Sequence, residues 1–362
     1  MKRAIPYLLV AYIGLMILIY PQNAIMSAKS GMNLCYEVII PSLFPFFICS
    51  GLLISSGFTK VLAKISGPLM KPLFNVGGSG STALVLGVVS GYPLGALTAC
   101  QLYESGYLSK TETERLLAFC NNSGPLFILG AVGSAIYSSV KIGVVLYISH
   151  ILSTLLVGIL FRFYAKDKHT APTYSINLTD DGFSQGFSKV LASSINSILT
   201  VSGAVIFFAV ISGIITTQLP FTDSVKSFIT GILELSGGTK AISQTALPVT
   251  IKLTLSAFVV GFAGLCVHIQ VAAIVAKYHL SLAPYLIGKF LHGLFSAGLT
   301  YLYFYAFPPK ISVFKNTSAV MSAGFCMSSM YSLINILFFV ILGVLLITFT
   351  SMGIRQYSRQ NK

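Results

Sequence analysis

Ser90-Gly91-Tyr92-Pro93-Leu94-Gly95 interrupts the middle of an apolar run over 80–103, and Gly261-Phe262-Ala263-Gly264 does the same to a run over 249–277. A double glycine precedes each run, Gly77-Gly78 and Gly237-Gly238, and a stretch of helical length with polar residues inside it follows each. Pro93 lacks an N–H, and Gly91 and Gly95 need no clearance for a Cβ, so amides and carbonyls come free of the helical ladder there. In a bilayer, free backbone is tolerated only where protein or a wet cavity satisfies it. A single break of this kind also reads as a structural kink with close packing through small residues. Two breaks in matching positions favour a solute site near the bilayer midplane, with half-helix N-termini turned to an anion or a polar group.

Composition places the chain in lipid. Of its 362 residues 55% are hydrophobic and only 9% charged, where a soluble domain carries about 25% charged residues. The mean hydropathy is +0.84. The net charge of +14 comes from basic residues between apolar runs or at the termini, which is the pattern of juxtamembrane anchors. Nucleic-acid binding would gather them in a patch on a water-facing domain, so no nucleic-acid partner is expected. Cys35, Cys49, Cys100, Cys120, Cys266 and Cys326 show no ligand spacing and mostly lie in apolar runs. They read as small apolar packers, not as a metal site or a disulfide framework. Met1-Lys2-Arg3 followed by an apolar stretch to Tyr20 lacks a clear cleavage site and reads as a retained first span with its N-terminus in the cytoplasm.

Apolar runs occur near 5–25, 34–57, 80–103, 115–137, 140–164, 189–216, 249–277, 283–307 and 330–352. A crossing needs about 20 residues, and most of these qualify. The polar stretch 166–188 separates two halves with the same order of parts. Each half has a span (34–57 or 189–216), a short amphipathic segment, the double glycine, the broken run and two further spans. The amphipathic faces are Val61, Leu62, Ile65 and Leu69 in the first half, and Val225, Phe228, Ile229, Ile232 and Leu233 in the second. Both segments read either as helices lying in the membrane interface or as loop helices packed on the bundle. The expected division is an N-terminal span over 1–30, a first repeat over 31–165, the linker 166–188, a second repeat over 189–353 and a basic tail over 354–362.

Each break falls near the centre of its run, leaving arms that reach roughly 18 Å, about half a bilayer, so re-entrant hairpins fit. A single kinked crossing is also permitted by length. With both runs re-entrant, more basic residues fall inside, among them Arg162, Lys166 and Lys168, so the positive-inside rule leans to hairpins. The same choice makes the two halves inverted copies.

Polar side chains within the runs are the candidate site. Asn121-Asn122-Ser123-Gly124-Pro125 is a sequence of helix-weakening residues inside the 115–137 run, and it predicts an unwound, hydrogen-bonding segment. An interhelical clasp is the alternative. Its match to a glycosylation sequon is set aside because it lies in an apolar run. His292-Gly293 occupies the comparable depth of the run 283–307, and His268 and Gln270 follow the second break. Lys289, six residues into its run, reads equally as a site residue or as a side chain snorkelling to the interface. All nine acids fall in loops or at run edges, Glu234 among them, so no carboxylate is expected at the site to hold a bare cation. That favours a neutral polar or anionic solute over a metal ion.

Enzyme signatures are absent. Gly78-Ser79-Gly80-Ser81-Thr82-Ala83 mimics a dinucleotide fingerprint, but no strand pattern precedes it. There is no HExxH, no GxSxG and no ATP-binding loop. No enzymatic activity, cofactor or metal is expected.

Ser90 to Ala96, Leu108-Ser109-Lys110-Thr111-Glu112 to Arg115, and Phe119 through Asn121-Asn122-Ser123-Gly124-Pro125 to Gly130 closely resemble the sporulation integral membrane protein YlbJ family. Gly261 to Val271 and Lys289 to His292 are similar to that family's second-half motif. The resemblance implies a nucleoside recognition, or Gate, domain similar to domains in nucleoside transporters and the ferrous-iron transporter. It further implies a multi-pass cell-membrane protein of spore-forming bacteria, needed for spore cortex formation. The expected fold is all-α and polytopic: two inverted repeats with paired re-entrant or broken helices, plus one extra N-terminal span. The expected solute site comprises Ser90, Gly91, Tyr92, Pro93 and Gly95 at the first tip, then Asn121, Asn122, Ser123 and Gly124. Gly261, Gly264, His268, Gln270 and His292 complete the opposite wall. The partners are the lipid bilayer, a small polar or anionic solute, and other sporulation membrane proteins if the chain is a non-transporting scaffold.

Overall fold

The computed structural model describes residues 4–55, 58–165, 183–218 and 220–309. The run 330–352, the basic tail and most of the linker lie outside these, as do the side chains of Val61 and Leu62. Every regular element among the described residues is helical. The first half comprises α1 (Ala4–Ile19), α2 (Pro21–Leu34), α3 (Ile40–Ser55), α4 (Phe58–Phe74), α5 (Gly80–Ser90), α6 (Leu94–Glu104), α7 (Lys110–Cys120) and α8 (Val140–Phe161). A π-helical turn (Cys35–Ile39) joins α2 to α3, and a longer π-helix (Leu126–Ile136) precedes α8. The second half comprises α9 (Phe183–Gln218), α10 (Asp223–Leu233), α11 (Leu235–Gln244), α12 (Val249–Phe262), α13 (Gly264–Ala276) and α14 (Ala283–Ala306).

Among the described residues three helices are long and apolar enough to cross a membrane: Val140–Phe161, Phe187–Thr217 and Val249–Ala276. The N-terminal run is not a straight span. Val10–Ile19 and Pro21–Glu37 meet at 104°. Proline forces the residue before it out of the α region, and Tyr20 accordingly takes φ −118°, ψ 57°. Beyond the bend α2 packs along α9, where Gly31 lets Ile206 and Ala209 approach. On α4, Ile65 and Leu69 project outward as an interfacial helix presents them, whereas Phe228, Ile229, Ile232 and Leu233 of α10 are half-buried on the bundle.

The centre of the bundle is α14, packed against α7, α8 and α12. Its contact with α7 is backbone to backbone, since a Cβ on Gly288 would lie 2.2 Å from Ala118 O. Around this core the two broken runs are built differently. The first folds back on itself. A Cβ on Gly95 would lie 3.0 Å from Gly87 Cα, although eight residues of unbroken helix separate α-carbons by about 12 Å. The Cys120 carbonyl at the end of α7 fills the notch between these glycines, 1.6 Å from a Cβ on Gly87 and 2.1 Å from one on Gly95. The second run instead continues through its break, and Val249–Ala276 reads as a single span of 28 residues.

Candidate functional site

The first break ends α5 at Ser90. Gly91 takes φ 85°, ψ −172°, a conformation closed to residues with a Cβ, and turns the chain into Tyr92 and Pro93 at the start of α6. The open face of Gly91 rests on the segment after α7, with a Cβ there only 3.0 Å from Gly124 N. That segment, 121–124, is unwound, and Asn121 is extended at φ −97°, ψ 99°. At the second break Ala263 and Gly264 are both left-handed, φ 79° and 73°. This turns the Gly264 N–H away from the Val260 carbonyl it would meet in a continuous helix. Tyr92 replaces it: its hydroxyl donates to Val260 O at 2.8 Å. The two interruptions therefore meet through one side chain.

Behind this contact lies a buried polar core. Lys289 is fully buried and donates to Asn121 O at 3.0 Å, the carbonyl at the C-terminal end of α7, where the helix dipole is negative. Its amine also lies 3.0 Å from His292 Nδ1 and 5.3 Å from the centre of the Tyr92 ring. No carboxylate among the described residues pairs with it. Because His292 Nδ1 accepts from the amine, the proton sits on Nε2, which donates to His150 O at 3.0 Å. His150 in turn accepts the Ser123 N–H on Nε2 at 3.1 Å, so its own proton is on Nδ1, which finds no partner. The Thr154 hydroxyl lies 2.9 Å from Asn122 Oδ1, and Asn122 Nδ2 donates to Phe119 O at 2.9 Å. The two imidazoles are stacked obliquely, centroids 4.3 Å apart.

A cavity opens on the other side of the tip, with about 530 Å³ of empty space, part of it open to the outside. Gly91, Tyr92, Ser123, Gly124, Glu234, Ser236 and Gln270 form its polar side; Ile39, Leu43, Phe127, Val201, Val205 and Val267 are among its apolar residues.

The predicted site residues thus divide. Gly91, Tyr92, Ser123, Gly124 and Gln270 line the cavity. Asn121, Asn122 and His292 belong to the polar core behind it. His268 is turned to Tyr285, its Nδ1 3.0 Å from the phenol oxygen, and its ring stands edge-on to Phe262. Ser90 is buried with its hydroxyl unpartnered, Pro93 caps α6, and Gly95 shapes the notch for Cys120. Gly261 allows Gly293 and the His292 carbonyl to approach, and Gly264 lies against Gly231, Leu233 and Leu235.

One open alternative is decided and one expectation is corrected. Lys289 does not snorkel; it is enclosed between α14, α7 and Tyr92. Nor is the cavity free of acids, because Glu234 lines it while only 3% exposed. Sequence reasoning also passed over His150 and Thr154, whose one-turn spacing within the apolar run 140–164 was the available signal. Arg115 entered the sequence reading only as part of a family motif, with no structural role assigned. Its guanidinium is buried and donates to the carbonyls of Asn75, Tyr164 and Ala165, clasping the ends of α4 and α8. No group of three or more His, Cys, Asp or Glu side chains arranged to hold a metal occurs among the described residues.

Residues 37–215 match the family model for Gate, nucleoside recognition. The chain is 30% identical to the sporulation integral membrane protein YlbJ of Bacillus subtilis strain 168, an alignment covering 77% of this chain and 77% of that protein. No solved structure matches the chain.

Proposed function

Because the chain belongs to the YlbJ family of sporulation integral membrane proteins, we propose that it binds a small neutral polar or anionic solute beside its two breaks and carries it across the cell membrane in sporulation, in support of spore cortex formation. One observation carries this reading. Tyr92 joins two interruptions 168 residues apart, and a cavity opens next to both. Irregular backbone at membrane depth needs a polar guest, water or protein to satisfy it. Buried atoms without partners, Gln270 Oε1, His150 Nδ1 and Ser90 Oγ, add to that demand, each costing about 1–3 kcal/mol if left unmet. The Lys289 amine, which pairs with no carboxylate among the described residues and stands behind the Tyr92 ring, weights the choice toward an anion.

Alternating access comes from the two halves moving as inverted repeats. Matched contacts support the repeat. Gly91 lies against Gly124 as Gly261 lies against Gly293. A second reading, a non-transporting membrane scaffold for other sporulation proteins, is favoured by one feature: Asn122 and His292 spend their hydrogen bonds on neighbouring helices, as clasps do.

The test is a thermal-shift screen of purified protein against nucleosides, small carboxylates and amino acids. A bound solute at 100 times its Kd raises stability by about 2.7 kcal/mol. No stabilisation by any class, with a known stabilising lipid as positive control, refutes solute binding and leaves the scaffold.

A further inference from the structure

Solute binding as proposed leaves one wall of the cavity unexplained, the wall that carries an acid. Glu234 is held there by the N-terminus of α11, accepting from Ser236 N at 2.8 Å and Gly237 N at 2.6 Å. With the Ser236 side chain these bonds use three of roughly four lone-pair positions on a carboxylate, so acceptor capacity is left over. Gln270 Oε1, on the same cavity, is a second acceptor, buried and without a partner. A wall of carboxylate and amide oxygens repels an anion, and no lysine or arginine lines the cavity to offset it. The titratable side chains that feel the Glu234 charge from the elements packed around it are the thiols of Cys35 on the π-helical turn and Cys266 on α13. Across the cavity the Tyr92 hydroxyl is committed to Val260 O. None of these brings a positive charge.

We propose that Glu234 is a proton-binding site coupled to the solute: an anion occupies the cavity only when Glu234 carries a proton, so that the two move together. This rests on reading the cavity as the solute site. On loading, the carboxylate takes one proton from water on the entry side, and the resulting O–H turns from repelling the anion to donating to it. On release the proton returns to water on the exit side, and no electron changes hands. Glu234 lies between α10 and α11, outside the three candidate spans, and burial pushes its carboxyl above the ordinary carboxylate range against the pull of the Ser236 and Gly237 amides. The sign follows. Protonation, and with it anion binding, is complete at low pH and is lost as pH rises through the raised value.

The experiment is calorimetric titration of the purified full-length protein with benzoate, succinate and the non-titrating benzenesulfonate, from about pH 5.5 to about pH 8.5. The expected result is affinity falling about tenfold per pH unit above the Glu234 midpoint, with one proton taken up per anion. Proton uptake is read from the dependence of the heat on buffer ionisation enthalpy. Glu234→Gln keeps an acceptor for the α11 cap and binds with an affinity that pH changes by less than about twofold. The wild-type proton count tests the proposal even if that variant does not fold. Binding that is flat with pH and takes up no proton overturns the coupling and leaves the solute reading intact. Failure of all three anions at every pH overturns the anion reading itself.

Discussion

Tyr92→Phe isolates the bond that joins the two breaks. The substitution deletes one oxygen and keeps the ring 5.3 Å from the Lys289 amine, so packing and the amine–ring contact survive. What is lost is the 2.8 Å bond to Val260 O. Val260 is 4% exposed, so its carbonyl cannot turn to water, and Ala263 and Gly264 hold the normal helical donor away. A stranded buried acceptor costs about 1–3 kcal/mol, which is the expected loss of stability. Tyr92→Leu removes the ring as well and should lose a further 0.5–2 kcal/mol or so from the amine–ring contact. Unfolding can be followed in detergent by a fluorogenic thiol reagent, because Cys100 and Cys120 are fully buried and react only when the bundle opens. Exposed Cys49 supplies a constant fast background. A Tyr92→Phe protein within about 0.5 kcal/mol of the parent, the range of neutral surface changes, refutes the argument that the interruptions are tied together.

Other substitutions probe the parts separately. Gly87→Ala places a methyl 1.6 Å from the Cys120 carbonyl, and backbone cannot yield that far; loss of folded protein, more than about 3 kcal/mol, is expected in detergent extraction yields. Arg115→Lys replaces a fork that serves three carbonyls, those of Asn75, Tyr164 and Ala165, with a single amine. A loss of about 2–4 kcal/mol in the same thiol assay is expected, and an unchanged midpoint contradicts the clasp. Gln270→Ala and Asn122→Ala should separate site from scaffold. Gln270 faces the cavity with its carbonyl unpartnered, so its loss should leave stability within about 0.5 kcal/mol while weakening solute binding. Asn122 bonds to Phe119 O and Thr154, so its loss should lower stability by about 1–3 kcal/mol. Equal falls in protein abundance for both variants would count against a cavity role for Gln270.

Much of the fold was legible because lipid makes composition decisive. Apolar runs of spanning length have one stable form, the helix, since each backbone group must be satisfied within its own segment. Asn121 to Gly124 could be read as unwound because these residues favour local hydrogen bonds over the helical ladder. The interruptions at Gly91 and Ala263–Gly264 were likewise written in proline and glycine. The candidate site was legible only in part: five of its predicted residues line the cavity, whereas Asn121, Asn122 and His292 lie behind it.

What the sequence by itself determined is therefore local: an all-helical membrane chain, where its helices fail, and which residues are polar at the failures. Only the tertiary structure decided that the first run folds back while the second runs on. The difference shows in the neighbour that the first break admits, the Cys120 carbonyl seated between Gly87 and Gly95. It alone decided that Lys289 is enclosed, that His150 closes the chain of donors through His292, and that Glu234 faces the cavity. In a membrane every face of a helix is apolar, so hydropathy cannot say which face meets lipid and which meets protein. The destination of a polar side chain is fixed by which helix comes to stand against it.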